Sequence, residues 1–99
     1  MELFRGDTLY KSITAGEYVF QPGDVLRVAI FNNTIDAVKL YEDKIEITEE
    51  TDSILVEIPA NKTKELKPGV LTLEFELTYS GVVKTEQHEL IVKADGIHE

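Results

Sequence analysis

The sequence predicts an all-β fold, an antiparallel sandwich of about seven short strands. Three observations predict it. Runs rich in β-branched and aromatic residues recur along the chain, divided by turn residues at intervals of roughly 8–12 positions. The stretch 70–79 alternates cleanly: Leu71, Leu73, Phe75, Leu77 and Tyr79 fall on one side, Thr72, Glu74, Glu76 and Thr78 on the other. That is the pattern of a strand with one buried and one wet face. No second long amphipathic helix is available to carry a parallel crossover. A small closed barrel is the main alternative.

The first strand spans 9–14 and leads into the turn Ala15-Gly16-Glu17. Tyr18-Val19-Phe20 is a short apolar piece, ended by Gln21-Pro22-Gly23-Asp24. The strand at 25–32 places Leu26, Val28 and Ile30 on one face, and Asn32-Asn33-Thr34 breaks it. The segment 35–50 reads as two short strands around Glu42-Asp43, favoured by its β-branched content. It also reads as a short helix with Ile35, Val38 and Tyr41 on one face. Residues 53–59 alternate again through Ile54, Val56 and Ile58. Residues 60–66 suit one helical turn or an irregular crossover, and Pro68-Gly69 suits the centre of a type II turn. Ser80-Gly81 then turns the chain into a last strand at 82–93.

The register of that last hairpin poses a conflict. A two-residue loop sets Phe75 opposite Glu86 and Leu73 opposite His88, with charged groups on the buried side. A bulge near 86–88 would remove the conflict, and the sequence suggests one. Residues 1–94 are expected to form a single sandwich domain, with 95–99 as a frayed tail.

Composition narrows the function. The chain has 99 residues, 42% hydrophobic and 29% charged, which suits one globular domain. The net charge of −9 opposes binding to nucleic acid and to anionic membranes. There are no cysteines, so disulfides, thiolate metal sites and cysteine nucleophiles are excluded. Their absence leans toward an intracellular protein. Residues 1–7 lack the apolar core of a signal peptide, and no run approaches the roughly 20 apolar residues of a membrane span.

No constellation of chemistry emerges, and the expected catalytic, cofactor-binding and metal residues are none. His88 lies in a strand beside Glu86 and Glu89, and His98 lies in the tail. Ser12, Ser53 and Ser80 lack a nucleophile's context. The acidic run Glu49-Glu50-Thr51-Asp52 lacks the spacing and glycine of a calcium loop, and reads as a solvated loop. Arg5-Gly6-Asp7 spells an integrin-binding tripeptide but reads as a turn leading into a strand. Asn32-Asn33-Thr34 and Asn61-Lys62-Thr63 match glycosylation sequons by chance composition.

Longer-range pattern adds a family. Phe4-Arg5-Gly6-Asp7-Thr8, then a strand, then Gly23-Asp24-Val25-Leu26, resembles the opening of small immunoglobulin-like domains of bacteriophage tail and baseplate proteins. The closing half resembles them more closely, through Ile58-Pro59-Ala60, Lys62-Thr63-Lys64-Glu65-Leu66, Pro68-Gly69 and Leu73-Glu74-Phe75-Glu76-Leu77. Gly81, Thr85 and Glu89-Leu90-Ile91-Val92 complete it. The resemblance implies an immunoglobulin-like sandwich and a non-enzymatic phage or prophage structural protein of tail, baseplate or virion. Such a protein would be made in the host cytoplasm and built into a particle. It would dock to copies of itself or to other phage structural proteins, with no cofactor. No functional residue transfers, because the shared pattern is scaffold. The alternative on the same scaffold is a carbohydrate- or cell-surface-binding module, for which exposed aromatics are scarce.

Overall fold

The computed structural model describes residues 1–94; the expected tail at 95–99 lies outside them. In chain order the elements are β1 (Glu2–Phe4), β2 (Leu9–Ile13), β3 (Val25–Asn32), β4 (Lys39–Glu46), β5 (Ile54–Ile58), a helical turn α1 (Ala60–Thr63), β6 (Gly69–Tyr79) and β7 (Val82–Lys93). They make a five-stranded sheet in the order β1-β7-β6-β3-β4 and a two-stranded sheet β2-β5. The fold is the expected all-β sandwich. Placing β2 and β5 in one sheet and β7-β6-β3-β4 in the other follows the immunoglobulin plan, where the second and fifth strands pair apart from the third, sixth and seventh. One neighbour relation departs from the antiparallel rule: β1 runs parallel to β7, with Leu3 beside Val92.

The core lies between the sheets. Leu26, Val28 and Ile30 of β3 and Leu71, Leu73, Phe75 and Leu77 of β6 meet Leu9, Ile54, Val56 and Ile58 from the smaller sheet. Leu3, Phe20, Ile47, Leu66, Leu90 and Val92 complete one continuous cluster. The alternation of β6 follows the sequence pattern: Leu71, Leu73, Phe75 and Leu77 are buried, Tyr79 is half-buried, and the Thr and Glu residues between them are half-exposed. Burying these side chains contributes roughly 25 cal/mol per Å² of apolar surface removed from water, the main force joining the sheets.

Three expectations are corrected. Residues 39–46 form one continuous strand through Glu42 and Asp43, not two strands or a helix, with Ala29 beside Glu42 and Val28 beside Asp43. An edge strand tolerates those charges because its side chains remain in water. Asp43 shares the inner face with Val28 yet is exposed, because it lies at the rim of the sheet. The only irregularity on this pair falls between Ile30 and Phe31 among the described residues.

The last hairpin holds the direct register without a bulge, from Tyr79 beside Val82 to Gly69 beside Val92. Its turn explains why. Ser80 and Gly81 adopt φ of 47° and 76°, the paired positive angles of a type I′ loop, whose twist matches the strands and sets their register. The charge conflict disappears because β2 and β5 do not cover the sheet there: Lys84 and Glu86 face inward but stay exposed. Finally, Pro68-Gly69 is not a type II turn. Gly69 takes a φ of 146° and opens β6, far from the roughly +80° that turn requires.

Candidate functional site

The residues singled out in sequence scatter. His88 sits half-exposed on β7, its ring edge-on to Phe75 at 5.9 Å and its Nε2 3.7 Å from Glu86. Glu89 lies on the opposite face of the strand. Ser12 is on β2, Ser53 precedes β5, and Ser80 is in the hairpin turn. Thr51 of the acidic run joins the fold by a bridge to Phe20, and its Oγ1 donates to Ser53 O at 2.9 Å. Glu49, Glu50 and Asp52 around it are exposed, and the described residues contain no group of three or more side chains spaced to hold a metal ion. His98 lies outside the described residues.

The Arg5-Gly6-Asp7 turn is consumed by the fold. Arg5 Nη2 donates to Lys64 O at 2.8 Å, and Gly6 N donates to Thr63 Oγ1 at 3.2 Å. Thr63, fully buried, donates in turn to Asp7 O at 2.7 Å. This clamp fixes α1 against the turn between β1 and β2. Two of the residues quoted for the family resemblance, Arg5 and Thr63, therefore have a shared structural task. Asn32 of the first sequon is also engaged, its Oδ1 accepting from Val38 N at 2.8 Å.

Asp24 is the one buried carboxylate among the described residues, 5% exposed. It accepts from Tyr18 Oη at 2.6 Å and from Gln21 N at 2.9 Å. The hydrogen bond to this carboxylate holds the Tyr18 phenol above its ordinary pKa. Tyr18 also stacks on Tyr79 at 4.5 Å. The network pins the crossover between β2 and β3, and all its partners are satisfied internally, so it is a fold element and not a waiting site.

The sheet margins offer more. β1 covers β7 only at Ile91–Lys93. There Ile91 N donates to Met1 O at 2.8 Å, Met1 N to Glu89 O at 3.2 Å, and Arg5 N to Lys93 O at 3.0 Å. Main-chain groups of alternate residues point the same way across a strand. The β6–β7 register is unbroken, so Val83, Thr85 and Gln87 aim their N–H and C=O groups away from β6, toward an edge that β1 does not reach. Val83 is 58% exposed on this edge. Sequence reasoning missed this site, because β1 carries only three residues and its parallel pairing leaves no periodic signal.

Beside the edge, a cleft of about 360 Å³ opens between Ile13–Gly16 and Lys84–Glu86, floored by Leu26, Phe75 and Leu77. It is the gap where the smaller sheet stops short. The arrangement suits main-chain pairing with an extended strand more than capture of a small molecule.

The described residues include no helix long and apolar enough to cross a membrane. No family model matches the chain, and no curated protein matches it significantly.

Proposed function

We propose that this chain is a non-enzymatic structural or assembly module of phage or prophage type, working in a tail, baseplate or virion by protein–protein docking. The observation that carries the docking half of the reading is the uncovered edge of β7, where Val83, Thr85 and Gln87 present main-chain groups with no partner among the described residues, next to an apolar cleft. Exposed strand edges of this kind template pairing with another chain. The phage setting rests on the sequence resemblance. A basic partner strand is a further candidate, given the net charge of −9.

The test is direct. Light scattering after size exclusion, over a concentration series and at low and high salt, reads self-assembly. Mixing with the products of neighbouring genes reads assembly with others. Binding in either measurement supports docking, and structural genes on either side support the phage setting. A chain that stays monomeric and binds none of those proteins removes the reading.

A second reading has one observation in its favour. Tyr10 is 59% exposed on the outer face of β2, diagonal to Leu55 at 64% and beside Glu57. An exposed aromatic next to a carboxylate is the minimal platform for a sugar, and Tyr10→Ala should abolish binding on a glycan array if that reading holds.

A further inference from the structure

The open edge of β7 is self-complementary, which names its partner. The stretch that β1 leaves uncovered runs from the hairpin end, Val82, to His88, just before the residue that Met1 holds. Its midpoint is Thr85. Lys84 and Glu86 flank that midpoint with opposite charge, and both lie on the inner face of the sheet. Lys84 makes no ion pair among the described residues.

We infer that two copies of this chain pair edge to edge through β7, antiparallel about a two-fold axis at Thr85, so that Lys84 of each copy meets Glu86 of the other. The inference rests on the docking reading above and identifies its occupant.

The geometry follows from the strand. Val83, Thr85 and Gln87 aim their main-chain groups outward, so Thr85 faces Thr85 of the second copy and Val83 faces its Gln87, giving about six main-chain hydrogen bonds. Lys84 and Glu86 then fall in non-hydrogen-bonded pairs, where strands approach most closely, with Cα atoms about 4.5 Å apart. Two opposite-charge pairs form on the inner face, and a Thr–Thr pair on the outer. The stretch carries one lysine, one glutamate and no other fixed charge. It is therefore locally neutral on a chain of −9, and least opposed by repulsion where it must make contact. The inner faces of both copies lie on the same side, so their clefts adjoin beneath the two ion pairs.

The other edge of the same sheet lacks this property. An axis at the centre of β4 falls on Glu42 or Asp43 and sets a carboxylate against its own copy.

An edge pairing of this length is small against the roughly 1,200 Å² of a stable interface. The dimer should therefore be concentration-dependent, with a dissociation constant on the order of micromolar. The deciding experiment uses the full chain in analytical ultracentrifugation. Lys84→Glu alone sets two glutamates against two, and Glu86→Lys alone sets two lysines against two. Each should weaken self-association at least about tenfold. An equimolar mixture of the two variants should recover a heterodimer of wild-type affinity, because each then supplies what the other lacks. Both positions are exposed, so the variants should fold, and circular dichroism checks that they do. Thr85→Pro should also abolish the dimer, since its N–H points to the open edge and not to β6.

If the wild type dimerises but neither charge reversal changes the dimer, this register is wrong while the docking reading stands. If the wild type stays monomeric yet binds a protein from a neighbouring gene, the second copy is the wrong occupant and docking again stands. If it neither dimerises nor binds those proteins, both readings fall.

Discussion

The middle and the margins of the five-stranded sheet obey different rules. In the middle, β3 and β6 have strand neighbours on both sides, and the second sheet lies over their inner face. From Leu71 to Leu77 of β6 side chains sort by parity: Leu73 is fully buried, while Glu74 next to it is half-exposed; on β3 the small Ala29 is the exception, buried between Val28 and Ile30. At the margins, parity still decides which way a side chain points but no longer decides whether it is buried. Asp43 of β4 and Lys84 and Glu86 of β7 point inward and remain in water. The difference teaches that burial is set by the reach of the smaller sheet, β2-β5. Where it ends, the large sheet keeps its hydrogen-bonded geometry but loses its apolar requirement, and a charged, pairable edge becomes tolerable.

The sharpest way to break this contrast is on one inner-face row. Phe75 is 3% exposed, so Phe75→Ala should cost about 3–5 kcal/mol by creating a cavity. Lys84→Ala, on the same face one strand outward, should cost less than about 0.5 kcal/mol. Urea unfolding of both variants measures the difference. Equal losses would mean the smaller sheet reaches further than the structure places it.

Proline tests the main chain in the same way. Glu76 lies on β6 between Arg27 and Thr85, and Glu76→Pro removes a ladder hydrogen bond within the sheet, at a cost of about 3 kcal/mol or more. Thr85→Pro, at the open edge, should cost under about 1 kcal/mol in the monomer. Comparable destabilisation would show that the Thr85 N–H is already engaged.

Hydrogen exchange refines this without mutation. In dilute solution the amides of Val83, Thr85 and Gln87 should exchange fast, while those of β6 exchange only by global unfolding. Concentrating the protein should slow those three amides selectively if β7 pairs with a second copy.

Glu74→Ala should be the mildest substitution on β6, under about 1 kcal/mol, although it removes the hydrogen bond from Gln87 Nε2 at 2.8 Å. The smallest effect concerns acid. Glu2 pairs with Lys93 where β1 joins β7, and the hydrogen bond from Lys93 lowers the Glu2 pKa below its ordinary 4.5. A carboxyl with a depressed folded pKa stabilises above its unfolded value and loses that contribution as pH falls through the folded one. As the pH falls below 4.5 and through the lowered Glu2 pKa, therefore, β1 should loosen first, seen as faster exchange of Ile91 in an otherwise folded chain. Unchanged exchange of Ile91 down to the acid transition would show that the pair contributes nothing, as many exposed pairs do.

Much of the sandwich was legible in residue order, because its signals are local. The period-two pattern of β6 needs only the pleat of a strand to be interpreted, and it assigned every face correctly. Ser80-Gly81 marked the hairpin, since a tight turn demands residues that accept positive φ. The helical turn at Ala60–Thr63 and the alternation of β5 were legible for the same reason. What the residue order could not decide is whatever depends on a distant cover. The bulge expected near Glu86 assumed that every inward-facing position is buried, and the break expected at Glu42-Asp43 assumed that a strand cannot hold charges mid-length. Both assumptions fail where the second sheet is missing. The clamp of Arg5 and Gly6 on α1 and the parallel pairing of β1 join residues far apart in sequence, so no local pattern announces them. The open edge of β7 is decided last of all: Val83, Thr85 and Gln87 have no partner strand on that side among the described residues, a fact of tertiary placement and not of any residue on β7 itself.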